Sequence, residues 1–86
     1  MNIEFTETAY SQLMDWVLTD KKMVKKINEL IRDIQRSGIS DGLGKPEALK
    51  YLNAWSRRIT QEHRLVYRVE EDRLLILACR GHYENF

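Results

Sequence analysis

Met23, Val24, Ile27, Leu30, Ile31 and Ile34 recur at helical spacing, so a helix over this stretch places all six on one side. Lys21, Lys22, Lys25, Lys26, Arg32 and Arg36 line its other sides. Thr19 or Asp20 caps its start, and Gly38 is a natural stop. Such a stripe must be buried against another element, and this sets the problem the rest of the chain solves. Upstream, Asn2 to Phe5 reads as a short strand. Thr6 then caps a first helix, with Glu7 placed against its N-terminal dipole. Ala9, Leu13, Trp16 and Val17 form its apolar face, supported by Tyr10 and Met14, and the helix ends near Leu18.

Downstream the period changes. Residues 39–46 hold Gly42, Gly44 and the single proline and form a loop. Strands follow at Leu49–Leu52 or Trp55–Thr60, then His63–Val69, then Leu74–Arg80, with a polar hairpin loop at Glu70-Glu71-Asp72-Arg73. Leu65, Tyr67 and Val69 alternate with Arg64, Val66 and Arg68, so one face of that strand is apolar and the other basic. Leu74 to Cys79 is apolar on both faces, as a central strand is. Continued alternation puts Arg80 and His82 on one side. The fold class is α+β: two N-terminal helices on one face of a small, mostly antiparallel twisted sheet, with a basic groove on the other. The 86 residues make one domain, residues 1–86. The longest apolar run is far too short to span a bilayer. The lone Cys79, set among apolar neighbours, and the lack of a charged-then-apolar leader fit a reducing cytoplasm.

Net charge is +1, but it is unevenly spread. Residues 45–68 carry six Lys and Arg against two Glu, and such a stretch attracts phosphate. The same region and the C-terminal end offer Glu47, Lys50, Arg64, His82 and Tyr83. A carboxylate, two cations, an imidazole and a phenol suffice to cleave RNA without a metal. A base takes the ribose 2′-OH proton, an acid protonates the departing 5′-oxygen, and cations hold the charge building on phosphorus. Two histidines and one cysteine, widely spaced, match no common metal-ligand pattern, and no cofactor motif is present. Singly, each residue has a plainer role. Glu47 in a loop is a solvated carboxylate, Arg64 pairs with a neighbour such as Glu62, Tyr83 plugs the core, and one of Arg57 and Arg58 faces the helices. His63, alternating with Arg64, faces away from the groove as a structural histidine.

The combination carries more than its members. Lys22-Met23-Val24-Lys25-Lys26-Ile27-Asn28-Glu29-Leu30-Ile31, Gly44-Lys45-Pro46-Glu47, Trp55-Ser56-Arg57-Arg58-Ile59-Thr60, Glu62-His63-Arg64-Leu65-Val66-Tyr67 and His82-Tyr83 resemble, end to end, the YoeB/Txe branch of the RelE superfamily of bacterial toxins. The resemblance implies a microbial RNase fold. It also implies a ribosome-dependent endoribonuclease of a type II toxin–antitoxin system, cutting mRNA in the A site of the 70S ribosome. Its partner would be a YefM-like antitoxin, with operator DNA reached through that antitoxin. By the same resemblance Glu47 is the general base, His82 the general acid, Arg64 the transition-state cation and Tyr83 a substrate-positioning residue. Lys50 and Arg58 become phosphate or rRNA contacts.

The chain departs from the family pattern at four places. Ala48 replaces a second proline, the turn between Lys50 and Trp55 is about two residues shorter, Gly81 precedes His82-Tyr83, and Glu84-Asn85-Phe86 follow it. Two other classes are therefore weighed: a catalytically weak module that blocks translation by occupying the ribosome, and an antitoxin-bound corepressor. The apolar second helix also leaves room for a homodimer.

Overall fold

The computed structural model describes residues 1–50 and 52–82. A strand β1 (Asn2–Phe5) leads into helices α1 (Glu7–Thr19) and α2 (Lys21–Ser37), then strands β2 (Glu47–Ala48), β3 (Trp55–Arg58), β4 (Arg64–Glu70) and β5 (Arg73–Ala78). The sheet order is β1-β5-β4-β3-β2, with β1 parallel to β5 and the other pairs antiparallel. The mostly antiparallel α+β fold expected from the periodicities is the one observed. Strands β3 and β5 stop at Arg58 and Ala78, short of the expected Thr60 and Arg80, while β4 keeps its expected length shifted by one residue. Glu47–Ala48 pairs with Ser56 and Trp55, while the described residues Leu49, Lys50 and Leu52 lie outside any strand. Among the described residues no helix is long and apolar enough to cross a membrane.

The α2 stripe does what its spacing demands. Met23, Ile27, Leu30, Ile31 and Ile34 are buried against Leu65, Tyr67, Leu74, Ile76 and Cys79 on one face of the sheet. Because that stripe is consumed by the core, it is not the surface left over for a second copy. The first helix departs from expectation. Ala9, Leu13 and Trp16 face the core, but Tyr10, Val17 and Leu18 stay 56%, 38% and 84% exposed. One stripe of three residues covers the sheet, and the second apolar stripe of α1 faces out. On the opposite face of the sheet Leu49, Ala54, Val66 and Ala78 form a small second cluster with Leu77. The face expected to be a basic groove is thus basic at one end and apolar at the other.

The second cluster depends on an irregularity the alternation did not signal. Val66 pairs with Ala78 but Tyr67 pairs with Ile76, so Leu77 is the extra residue of a β-bulge. Leu74 and Ile76 face the helices, whereas Ala78 faces away from them. The bulge shifts the parity of everything after it. The α1 helix then fixes the chain where it leaves the sheet: Thr6 Oγ1 donates to Leu77 O (3.1 Å), Trp16 Nε1 donates to Cys79 O (3.0 Å), and Gln12 Oε1 accepts from Cys79 N (2.7 Å). Arg80 turns back to Asp15 of α1 (3.0 Å) and does not share His82's side. Burial pushes the Cys79 thiol up to about 11, so it stays a neutral core group.

Arg57 and Asp33 form a buried ion pair (2.5 Å) under loop 38–44. The amide of Leu43 and the Arg57 guanidinium, aided by Arg36 and against the cost of burial, lower the Asp33 carboxyl from an ordinary 3.8 to about 2. A group depressed on folding stabilises the native state fully above its unfolded value and loses that effect as pH falls through its folded value. Acid destabilisation between about pH 4 and pH 2 is therefore expected to be steeper in the wild type than in Asp33→Asn. Urea midpoints of both proteins across that window check it.

Candidate functional site: a basic groove at the sheet edge

Loop 38–44 delivers the next three residues to the groove. A Cβ at Gly42 (φ +113°) would run into Asp33 Oδ2, and one at Gly44 (φ +80°) would lie 3.0 Å from both Arg58 O and Leu30 Cδ2. Glycine lets the loop press onto α2 and β3 at these points. Arg58 N then donates to Gly44 O (2.7 Å), and Lys45 adopts φ +52°, uncommon for a side-chain-bearing residue. Pro46 and the two-residue strand β2 follow, with Glu47 opposite Ser56 on β3.

Across the next strand pair Arg58 lies opposite Arg64. Like charges directly opposed on one face destabilise a sheet, so this arrangement has a cost in the free protein. Neither arginine makes an ion pair among the described residues. Arg64 is instead anchored at one corner, its Nη1 donating to the carbonyls of Thr60 (2.8 Å), Gln61 (3.0 Å) and His63 (3.2 Å). The rest of the guanidinium keeps donors for an incoming anion. It does not pair with Glu62, the plainer role open to it.

His82 reaches the groove from the end of β5. Its approach is set by His63, whose Nδ1 accepts from Gly81 N (2.9 Å), and by Arg64, whose backbone amide donates to Gly81 O (3.0 Å). His63 also meets Trp16 edge to face at 4.9 Å. His63 is thus structural, as its position in the strand pattern indicated, and what it holds is the segment that carries His82. The bulge and Gly81 (φ +73°) put His82 beside Arg64 without Arg80 accompanying it.

Lys45, Pro46, Glu47, Ser56, Arg58, Arg64 and His82 together line a groove of about 360 Å³. Of the residues singled out from sequence, Glu47, Arg58, Arg64 and His82 meet there. Lys50 is exposed and is not among the lining residues. The short turn, closed by bonds from Leu49 N to Ala54 O (3.0 Å) and from Ala54 N to Leu52 O (2.8 Å), draws the chain from β2 toward the apolar end of that face. Tyr83 lies outside the described residues. Lys45 and Ser56 also line the groove, beyond the residues expected from sequence. Lys45's signal was its place immediately before Pro46-Glu47; Ser56's was its polar-side register with Arg58. Among the described residues, no three His, Cys, Asp or Glu side chains gather as a metal site requires.

A carboxylate and an imidazole flanked by three cations, in a groove at the edge of a helix-backed antiparallel sheet, define a small anion-binding domain equipped for proton transfer. The comparisons with known proteins give that class its family. A profile for the YoeB-like toxin of bacterial type II toxin-antitoxin systems matches residues 5–83, and the chain belongs to that family. It is 53% identical over 85 residues to the toxin YoeB of Escherichia coli (strain K12), covering 96% of this chain and all of that one. It superposes on the YoeB dimer from Staphylococcus aureus with a TM-score of 0.92 at 47% identity, covering 96% of this chain and 98% of the other. On the toxin in the heterotetrameric YoeB-YefM complex from the same organism the TM-score is 0.89 at 47% identity, with the same coverage.

Proposed function

We propose that this toxin is a ribosome-dependent mRNA endoribonuclease that cuts by attack of a ribose 2′-OH on its own 3′-phosphate. The observation that carries the reading is the meeting of Glu47, Arg58, Arg64 and His82, from four separate segments, around one groove. Glu47 removes the 2′-OH proton. O2′ bonds to phosphorus, the P–O5′ bond breaks, and His82 delivers a proton to O5′. The products are a 2′,3′-cyclic phosphate and a 5′-OH, with no metal or cofactor required. Arg64, anchored at one corner, holds the charge building on the phosphate oxygens. Arg58 takes a flanking phosphate. Tyr83 is assigned the substrate-positioning role that the family resemblance implies.

The mRNA is presented in the A site of the 70S ribosome, where the cationic groove meets a densely charged backbone. A YefM-like antitoxin as partner is supported by the S. aureus toxin–antitoxin complex, and operator DNA contacted through it is the role that the family resemblance implies. Pairing with a second copy is supported by the S. aureus dimer. Exposed Tyr10, Val17 and Leu18 on α1 offer apolar surface for such contacts. The cytoplasm, where ribosomes work, is the compartment this activity requires.

Primer extension on mRNA translated in the presence of the purified toxin separates cutting from occupancy. New 5′-OH ends within codons at the A site are the expected result. A ribosome stall without new ends favours the occupancy reading and contradicts this one.

Lys45 lines the groove and Lys50 does not, so the two lysines should differ. Lys45→Ala is expected to weaken binding of single-stranded RNA and to flatten its dependence on log salt concentration by about 0.7, the value of one lost phosphate contact. Lys50→Ala should change the slope by less. Fluorescence anisotropy with a labelled oligoribonucleotide between low and physiological salt reads both.

A further inference from the structure

Arg57 and Arg58 are neighbours on β3 but face opposite ways. Arg58 enters the groove, while Arg57 is fully buried on the helix side. There all of its N–H directions are used. Nη1 donates to Asp33 Oδ2 (2.5 Å) and Leu43 O (3.1 Å), Nη2 to Gly38 O (2.8 Å) and Asp41 O (2.6 Å), and Nε to Tyr67 Oη (3.1 Å). Tyr67 Oη in turn donates to Ile39 O (2.6 Å). Asp33 Oδ2 also accepts from Leu43 N (2.8 Å), and its Oδ1 accepts from Arg36 Nη2 (3.1 Å) and Ser37 Oγ (3.4 Å). Four carbonyls and one amide of residues 38–43 are thus held by three side chains from α2, β3 and β4.

Stability alone is a weak reason for such a cluster, because a buried ion pair is often no better than apolar packing of the same volume. Its geometric consequence is specific. The segment it grips is a turn containing Gly38 and Gly42, and it runs without a break into Gly44, Lys45, Pro46 and Glu47. Beyond the grip, one backbone bond to Gly44 and the two-residue strand β2 are what locate Glu47. A glycine-rich loop left to itself samples many conformations, and a carboxylate displaced by about 1 Å can lose on the order of 10²-fold in rate.

We propose that Asp33, Arg57 and Tyr67 are positioning residues for Glu47, setting the placement of the proton-accepting carboxylate from the far side of the sheet. The proposal rests on the reading that Glu47 acts in RNA cleavage. It is specific to one half of the groove. His82 is held by a separate set, Gln12, Trp16 and His63, which grips the chain at Cys79 and Gly81.

That separation supplies the test. Asp33→Asn keeps an oxygen for the Leu43 amide but removes the charge facing Arg57. Tyr67→Phe removes the bonds to Ile39 and Arg57. Each is introduced alone, with Glu47→Ala and with His82→Ala, and single-turnover cleavage of ribosome-bound mRNA is measured as a function of toxin concentration. Each single variant is expected to lower the maximal rate by roughly 10- to 100-fold with little change in half-saturation. The loss should vanish in the Glu47→Ala background and remain measurable, though reduced, with His82→Ala. Amide exchange at Leu43 and Glu47 should quicken, while that of β4 and β5 is unchanged. Equal losses in both backgrounds, or wild-type rates in both variants, overturn the proposal. If Glu47→Ala itself cleaves at the wild-type rate, the catalytic reading of Glu47 fails first and the positioning role falls with it, a result distinct from the other two.

Discussion

Glu47→Ala is expected to slow cleavage of translated mRNA by about 10²–10⁴-fold while leaving the melting temperature unchanged. The size follows from what general base catalysis contributes, about 3–5 kcal/mol of barrier at 1.36 kcal/mol per tenfold. The selectivity follows from the environment. Glu47 is exposed and its side chain makes no bond among the described residues, so its loss leaves no buried group unpaired. Its pairing with Ser56 is a backbone matter that alanine preserves. His82→Ala should cost a factor in the same range. The double variant should lose less than the product of the two, because a base and an acid serving one displacement act as a unit. Single-turnover kinetics beside a thermal melt of each protein distinguishes this pattern from unfolding, which would lower rate and melting temperature together.

The neighbouring arginines should part company in the same pair of measurements. Arg57→Met is expected to destabilise the fold by about 3–5 kcal/mol, because it strips a buried carboxylate of its counter-charge and leaves loop carbonyls without donors. Against a total of about 4–13 kcal/mol for a chain of this length, that removes a large share. At about 4–8 °C per kcal/mol the melting temperature falls by roughly 12 °C or more. Arg58→Met faces the groove, makes no ion pair among the described residues and should leave the melt within about 2–4 °C of the wild type, in line with about 0.5 kcal/mol for surface changes. Its effect should appear in RNA affinity. Pairing Arg57→Met with Asp33→Leu should recover much of the lost stability, since two apolar groups replace two charges. On the positioning account it does not recover cleavage.

The contrast between Arg57 and Arg58 shows what periodicity can and cannot reveal. Alternation indicated that one of the two faces the helices, and the register of β3 against β4 fixes it as Arg57. The α2 stripe, the apolar face of β4 and the two-sided burial of β5 were legible for the same reason: each is a repeat of side chains with period 3.6 or 2. The Leu77 bulge was not, because an inserted residue changes parity without changing composition, and it is what separates Arg80 from His82. Nor were the exposed Tyr10 and Val17, whose spacing satisfies a helix but whose burial is decided by tertiary packing rather than by periodicity. Glu47 and His82 are ordinary residues on local reading. Their roles came from the family resemblance, and their meeting in one groove is a tertiary fact. Lys45's place there depends on a left-handed backbone at a residue with a side chain, which no local pattern announces.

The proposed cleavage requires 2′-OH attack in this groove. The direct measurement uses ribosome-bound mRNA in two forms, all-ribose and carrying a single 2′-deoxynucleotide on the 5′ side of the bond cut in the A-site codon. The all-ribose message should yield a 5′-OH fragment and a 2′,3′-cyclic phosphate, and the deoxy message should survive at that bond. Cleavage of the deoxy message at the same bond would contradict the mechanism assigned to Glu47, Arg64 and His82.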